Sequence, residues 1–107
     1  MKRGDLIPVV LAGSHGKPRP ALMIQSDLFA ALPSVTVLPV TTELRPIEIF
    51  RITVEPTPRN GLRVRSQIMV DKAHTIPCAK AGKPFGVLDA RTLTAVERAM
   101  AVFLGLG

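Results

Sequence analysis

Apolar residues recur with helical spacing in one place, the segment DARTLTAVERAMAVFLGL from Asp89 to Leu106. There Leu93, Val96, Met100, Phe103 and Leu104 fall near i, i+3, i+7, i+10 and i+11. Everything before it is cut by ten prolines and several glycines into apolar runs of strand length. The pattern predicts one C-terminal helix on a body of short strands. Asp89 is placed to cap that helix, and Gly105 and Gly107 to stop it.

The strands follow from the runs. Leu6 to Leu11 reads as the first, with Pro8 tolerable only at an edge or a bulge. Ala21 to Gln25 (ALMIQ) is a continuous apolar run, and Val35 to Thr42 (VTVLPVTT) is rich in β-branched residues. In the next run Glu48, Phe50, Ile52 and Val54 alternate with Ile47, Ile49, Arg51 and Thr53, and the first set is expected to face the core. Asn60-Gly61 predicts a tight hairpin turn. Beyond it Leu62, Val64, Ser66, Ile68 and Val70 share an expected packed face, while Arg63, Arg65, Gln67 and Met69 share a wet one. A chain of 107 residues with five or more short strands is expected to form a single domain, 1–107, mainly β with a C-terminal helix. A small, strongly bent antiparallel barrel fits best, because closure protects strand edges.

Lys and Arg number 14 against 8 Asp and Glu, and the net charge of +6 favours polyanionic partners such as RNA, DNA or an acidic protein tail. Two arginines and a glutamine on the wet strand face suit phosphate contacts, a solvated face being the ordinary alternative. The lone Cys78 cannot form an internal disulfide and fits a reducing cytoplasm. Gly4, Asp5 and Pro8 break up the apolar start, which makes a poor signal peptide, and no window approaches the ~20 apolar residues of a spanning helix. A soluble protein is expected, with no membrane partner.

One Cys and two His cannot complete a structural zinc set without several carboxylates, and the glycines are too scattered for a phosphate or dinucleotide loop. No metal or cofactor is expected. Cys78 with His74 or His15 is formally a nucleophile pair, but a cysteine between Pro77 and Ala79 is more often structural. The remaining Arg, Thr, Asp and His residues are types suited to phosphate chemistry.

KRGDLI at the start, GSHGKPRP running into ALMIQSD, VLPVTT, NGL followed by RVRSQIMVDKAHTIP, and VLDARTLTAVERAM occur in that order. Together they resemble the MazF/PemK family of toxin endoribonucleases over nearly the whole chain. The resemblance implies an SH3-like barrel and a homodimer. It implies a sequence-selective, ribosome-independent, metal-free endoribonuclease that cuts single-stranded RNA, inhibits translation and is restrained by a cognate acidic antitoxin. Arg19 matches the family's catalytic arginine, Thr41 its catalytic threonine, and Asp71 an acidic position that lines the RNA site in some members. The implied reaction is attack of a ribose 2′-hydroxyl on the adjacent phosphorus, leaving a 2′,3′-cyclic phosphate and a 5′-hydroxyl.

Since the substrate brings its own nucleophile, the enzyme must stabilise charge on phosphate oxygens and move two protons. Arg19 suits the first task, offering planar paired donors, and Thr41 can donate its hydroxyl to the same phosphate. His15 and His74 stand where relatives often carry other residue types. An imidazole can both accept and donate a proton, which makes them candidates for proton transfer beside Asp71. Lys17, Arg63, Arg65 and Gln67 are the expected RNA-binding residues. Two other classes compete: a gyrase poison of the related CcdB group, and a non-catalytic nucleic-acid-binding barrel. The Arg19 and Thr41 pair argues for the nuclease, and the ending GLG lacks the aromatic terminus associated with gyrase poisons.

Overall fold

The computed structural model describes residues 1–13, 15–46 and 49–107. Among them seven strands run β1 (Asp5–Val9), β2 (Arg19–Met23), β3 (Ser34–Thr41), β4 (Arg51–Val54), β5 (Ser66–Met69), β6 (His74–Pro77) and β7 (Gly86–Val87). One helix, α1 (Ala90–Phe103), follows. The sheet order is β4-β5-β3-β2-β1-β7, with β6 on β3, and every pairing is antiparallel. This is the expected architecture, mainly β: a curled sheet making a half-barrel, with one C-terminal helix.

Curling follows from the apolar pattern. Leu6 and Ile7 point to opposite faces of β1, and both are fully buried. One face gathers Leu6, Leu22, Leu38, Val40 and Ile68 beneath Val96 of α1, with Leu93 and Met100 packed against them. The other gathers Ile7, Val9, Ala21, Met23, Val35, Val37 and Ile76, with Leu11, Cys78 and Ala81 at its margin. Phe50, Ile52 and Val54 join the first cluster as expected, while Glu48 and Ile47 lie outside the described residues.

Three prolines sit inside strands without breaking them. Ile24 N donates to Thr36 O at 3.2 Å, and the alternation of the ladder then makes Ala21–Pro39 and Pro8–Pro20 non-hydrogen-bonded pairs. Pro39 also falls where the outer edge of β3 changes partner, from β6 at Ser34–Val37 to β5 at Val40–Thr41. Pro8 meets the edge expectation locally, because β7 pairs with β1 only at Asp5 and Leu6 and leaves the outer side of β1 at Pro8 without a strand among the described residues. It is tolerated because its nitrogen lies on the side away from β2, where its carbonyl accepts from Gly82 N at 2.8 Å.

The Asn60-Gly61 hairpin is a correction. The β4–β5 register pairs Val54 with Ser66, so residues 55–65 form a long connection and the strand resumes four residues later than expected. Asn60 is buried and holds this loop: its side chain accepts from Thr57 N and Leu62 N and donates to Glu55 O. Gly61 takes φ +69°, and a Cβ there would lie 2.6 Å from the Phe85 carbonyl oxygen, so the loop sits directly on β7. Val64, expected in the packed face, is exposed.

Asp89 caps α1, accepting from Thr92 N at 3.0 Å and from the Thr92 hydroxyl at 2.7 Å. Both bonds hold its carboxyl below the usual aspartate value. At the other end Gly105 N donates to Val102 O and Leu106 N to Ala101 O, a Schellman closure in which Gly105 takes φ +70°. Phe103 and Leu104 share the expected helical period but end half exposed, with the Phe103 ring tilted against Phe50 at a centroid distance of 6.3 Å.

Candidate active site

Arg19 opens β2 and Thr41 closes β3. The two strands pair with Ala21 opposite Pro39, and extending that register by two residues brings Arg19 across from Thr41. Both line one cleft of about 400 Å³, together with Leu11, Pro20, Pro39, Val40, Thr42, Glu43 and Met69. The predicted pair is thus brought together by the central ladder of the fold. The Arg19 side chain is exposed and makes no ion pair or hydrogen bond among the described residues.

Thr41 is held differently. Its Oγ1 accepts from Glu43 N at 3.0 Å, a bond that uses a lone pair and leaves the hydroxyl proton free to donate. The turn making that bond is braced from behind by Gln67, only 6% exposed. Gln67 Oε1 accepts from Arg45 N at 2.9 Å, and Nε2 donates to Arg45 O at 2.9 Å and to Thr53 Oγ1 at 3.2 Å. Arg51 Nη1 donates to Glu43 O at 2.9 Å and to Gln67 Oε1 at 3.3 Å. The Glu43 carboxylate pairs with Arg45. Gln67 therefore corrects the wet-face expectation: it is a buried support whose amide is fully engaged.

A second cleft of about 500 Å³ adjoins the first, sharing Arg19, Pro20 and Thr42. Arg63 lines it, exposed and without an ion pair among the described residues. Arg65 lines neither cleft and pairs with Glu55 at 2.9 Å.

The other candidates stand apart from both clefts. His15 is exposed on the β1–β2 loop at φ +55°, and Lys17 is exposed beyond it. Asp71 lies in the β5–β6 turn, with Oδ2 on Lys72 Nζ at 3.2 Å and Oδ1 buried without a hydrogen-bond partner among the described residues. His74 opens β6, and its Nδ1 lies 2.7 Å from Lys72 O, which fixes Nδ1 as the donor. Sequence reasoning missed Thr42, Glu43 and Phe85. The first two follow Thr41 directly, and a search for polar residues beside the Val-Thr-Thr strand end would have found them. Phe85 carries no local signal.

No group of three or more His, Cys, Asp or Glu among the described residues is placed to hold a metal ion. No helix among them is long and apolar enough to cross a membrane.

Known proteins resemble the chain along nearly its whole length. Residues 2–104 match the family described as PemK-like, MazF-like toxin of type II toxin-antitoxin system. A probable endoribonuclease MazF of Mycolicibacterium smegmatis is 42% identical over 107 residues, 99% of this chain and 98% of that protein. Among solved structures, the Mycobacterium tuberculosis toxin MazF-mt6 superposes with a TM-score of 0.83 at 28% identity, covering 96% of this chain and 98% of its own. An endoribonuclease in complex with its cognate antitoxin, from a mycobacterial species, shares the fold with a TM-score of 0.84 at 20% identity, covering 100% of this chain and 97% of its own.

Proposed function

The chain belongs to the PemK-like, MazF-like toxin family, and on that premise we propose that it is a ribosome-independent endoribonuclease that cuts single-stranded RNA and so inhibits translation. The observation that carries the reading is the unpaired Arg19 guanidinium in one cleft with an oriented Thr41 hydroxyl. Free cations and a free hydroxyl proton are what a phosphate undergoing substitution requires. The 2′-hydroxyl of the substrate loses its proton and attacks the adjacent phosphorus, and the P–O5′ bond breaks, the 5′-oxygen taking a proton from solvent to leave as a hydroxyl. Arg19 holds the nonbridging oxygens with paired donors, and Thr41 donates to the same phosphate. Among the described residues Glu43 is the one carboxylate in the lining of this cleft and, although paired with Arg45, is the group there that can accept the 2′-hydroxyl proton, a position that His15 and His74 do not share.

The chain works as one domain, 1–107, in the cytoplasm, and as a symmetric homodimer. Val102, Phe103, Leu104 and Leu106 are exposed at the end of α1, an apolar surface suited to a second copy. An acidic antitoxin tail is the fitting restraint for a chain of net charge +6, its carboxylates occupying the place of phosphates.

The test is purified full-length protein on single-stranded RNA without ribosomes, in EDTA, with end-group analysis. Cyclic phosphate and 5′-hydroxyl ends are expected. Products with 3′-hydroxyl ends, or dependence on added metal, would overturn the mechanism.

A further inference from the structure

The second cleft shares Arg19, Pro20 and Thr42 with the first and adds an aromatic ring that the first lacks among the described residues. Pro8, Pro18, Leu62, Val64 and Phe85 make apolar walls, with the Arg63 cation beside them. Its volume of about 500 Å³ is that of a small-molecule site. Phe85 is 41% exposed, one of four aromatic residues in a chain without Trp or Tyr.

The ring stands on a rigid mount. Phe85 N donates to Leu6 O at 2.9 Å, and a Cβ on Gly86 would lie 2.1 Å from the Asn60 carbonyl oxygen. Asn60 is itself buried and hydrogen-bonded on both sides of its amide. An exposed aromatic face thus costs the molecule little further ordering when something stacks on it, which is the condition for a preorganised site.

We propose that this cleft takes one nucleobase of the RNA strand, the base next to the phosphate held by Arg19, with Phe85 against its face and Arg63 toward a neighbouring phosphate. The inference rests on the RNA-cleaving reading of the first cleft. Because Arg19 borders both clefts, a strand whose phosphate sits on it carries its adjoining base to the apolar one. Single-stranded RNA is recognised in this way, by unstacked bases placed on aromatic side chains. Stacking on the Phe85 face differs in strength from base to base, so the cleft sets the sequence preference at one position flanking the cut.

The experiment uses full-length protein and a random-sequence RNA pool, comparing wild type with Phe85→Ala and Phe85→Tyr. Phe85→Ala is expected to raise KM roughly 10-fold, the loss of one stacked base, and to lose the preference at one flanking position. Its kcat should stay within about twofold, since uniform binding has been removed. Phe85→Tyr keeps the ring and should behave as wild type. A noncleavable oligonucleotide, 2′-O-methylated at the scissile ribose, carries the second arm. An abasic residue at the affected position should weaken binding to wild type by the same factor and to Phe85→Ala no further. Unchanged KM and preference in a folded Phe85→Ala overturns the subsite, as does an abasic penalty equal in both proteins. Loss of affinity for an acidic peptide alone gives the cleft to a protein partner instead. A wild type that cuts no RNA overturns the functional reading along with the subsite.

Discussion

The turn that follows β3 and the entrance to β2 border the same cleft and are built by opposite rules. In the turn, Thr41, Glu43, Arg45, Arg51 and Gln67 are tied to one another, backbone and side chain alike. At the entrance the Arg19 side chain is tied to nothing among the described residues. A buried amide left unsatisfied costs about 1–3 kcal/mol, so the turn can move only at a price in stability. A solvated arginine bears no such cost and keeps its donors for a ligand. The contrast separates the group that meets the charge from the structure that aims the hydroxyl.

The largest expected effects lie in the cleft. Arg19→Ala and Thr41→Ala should each lose about 2–4 kcal/mol of transition-state stabilisation, a 10²- to 10³-fold fall in kcat/KM, by analogy with removing an oxyanion donor. Arg19→Ala should leave the melting temperature unchanged, because the side chain holds nothing in the fold. A folded Arg19→Ala of near-normal rate would break the comparison.

Gln67→Leu should do what Arg19→Ala cannot. It removes the buried partner of Arg45 and Arg51 and should destabilise the fold by about 1–3 kcal/mol, seen in urea unfolding. It should also lower kcat more than it raises KM, since the turn aiming Thr41 is loosened while Arg19 still binds phosphate. Lost stability with intact kcat would show that the brace supports the fold alone.

A third variant acts away from the cleft. Asp89→Ala should cost about 1 kcal/mol of stability through the lost cap, with no change in cleavage. The folded-state carboxyl is held below its ordinary value, so the unfolded chain binds the extra proton first. The stabilisation is therefore full above the ordinary aspartate value of about 3.9 and is lost as pH falls through the folded value. Thermal melts at falling pH should show the gap between wild type and Asp89→Ala closing.

The smallest effect should come from Arg65→Ala, which breaks the exposed pair with Glu55 and should cost no more than about 1 kcal/mol. RNA affinity measured beside Arg63→Ala sharpens the comparison: the untied Arg63 should matter and the tied Arg65 should not.

Much of this fold was legible in local pattern. The alternation at Phe50, Ile52 and Val54, the helical period from Leu93 to Met100 and the Asp89 cap are signals carried by neighbouring residues, and each took its expected place. What escaped depends on distant partners. Period-two alternation cannot tell a buried amide from a wet one, so Gln67 was assigned to solvent, although residues 45, 51 and 53 bury it. Asn60-Gly61 has turn chemistry, but its packing against Phe85 and Gly86 makes it a staple within a long loop. Arg19 and Thr41 alone read as a loop cation and a strand threonine. The family resemblance singled them out, and the β2–β3 register gives the physical reason that they share a cleft.

The central claim is that the protein supplies charge and a hydroxyl proton to a reaction whose nucleophile belongs to the RNA. It is tested by replacing a single 2′-hydroxyl with hydrogen at the scissile ribose of an otherwise unmodified substrate. Cleavage at that bond should vanish while binding, followed by fluorescence anisotropy, is retained. Continued cleavage there would mean that water or a protein side chain attacks the phosphorus, and would contradict the account.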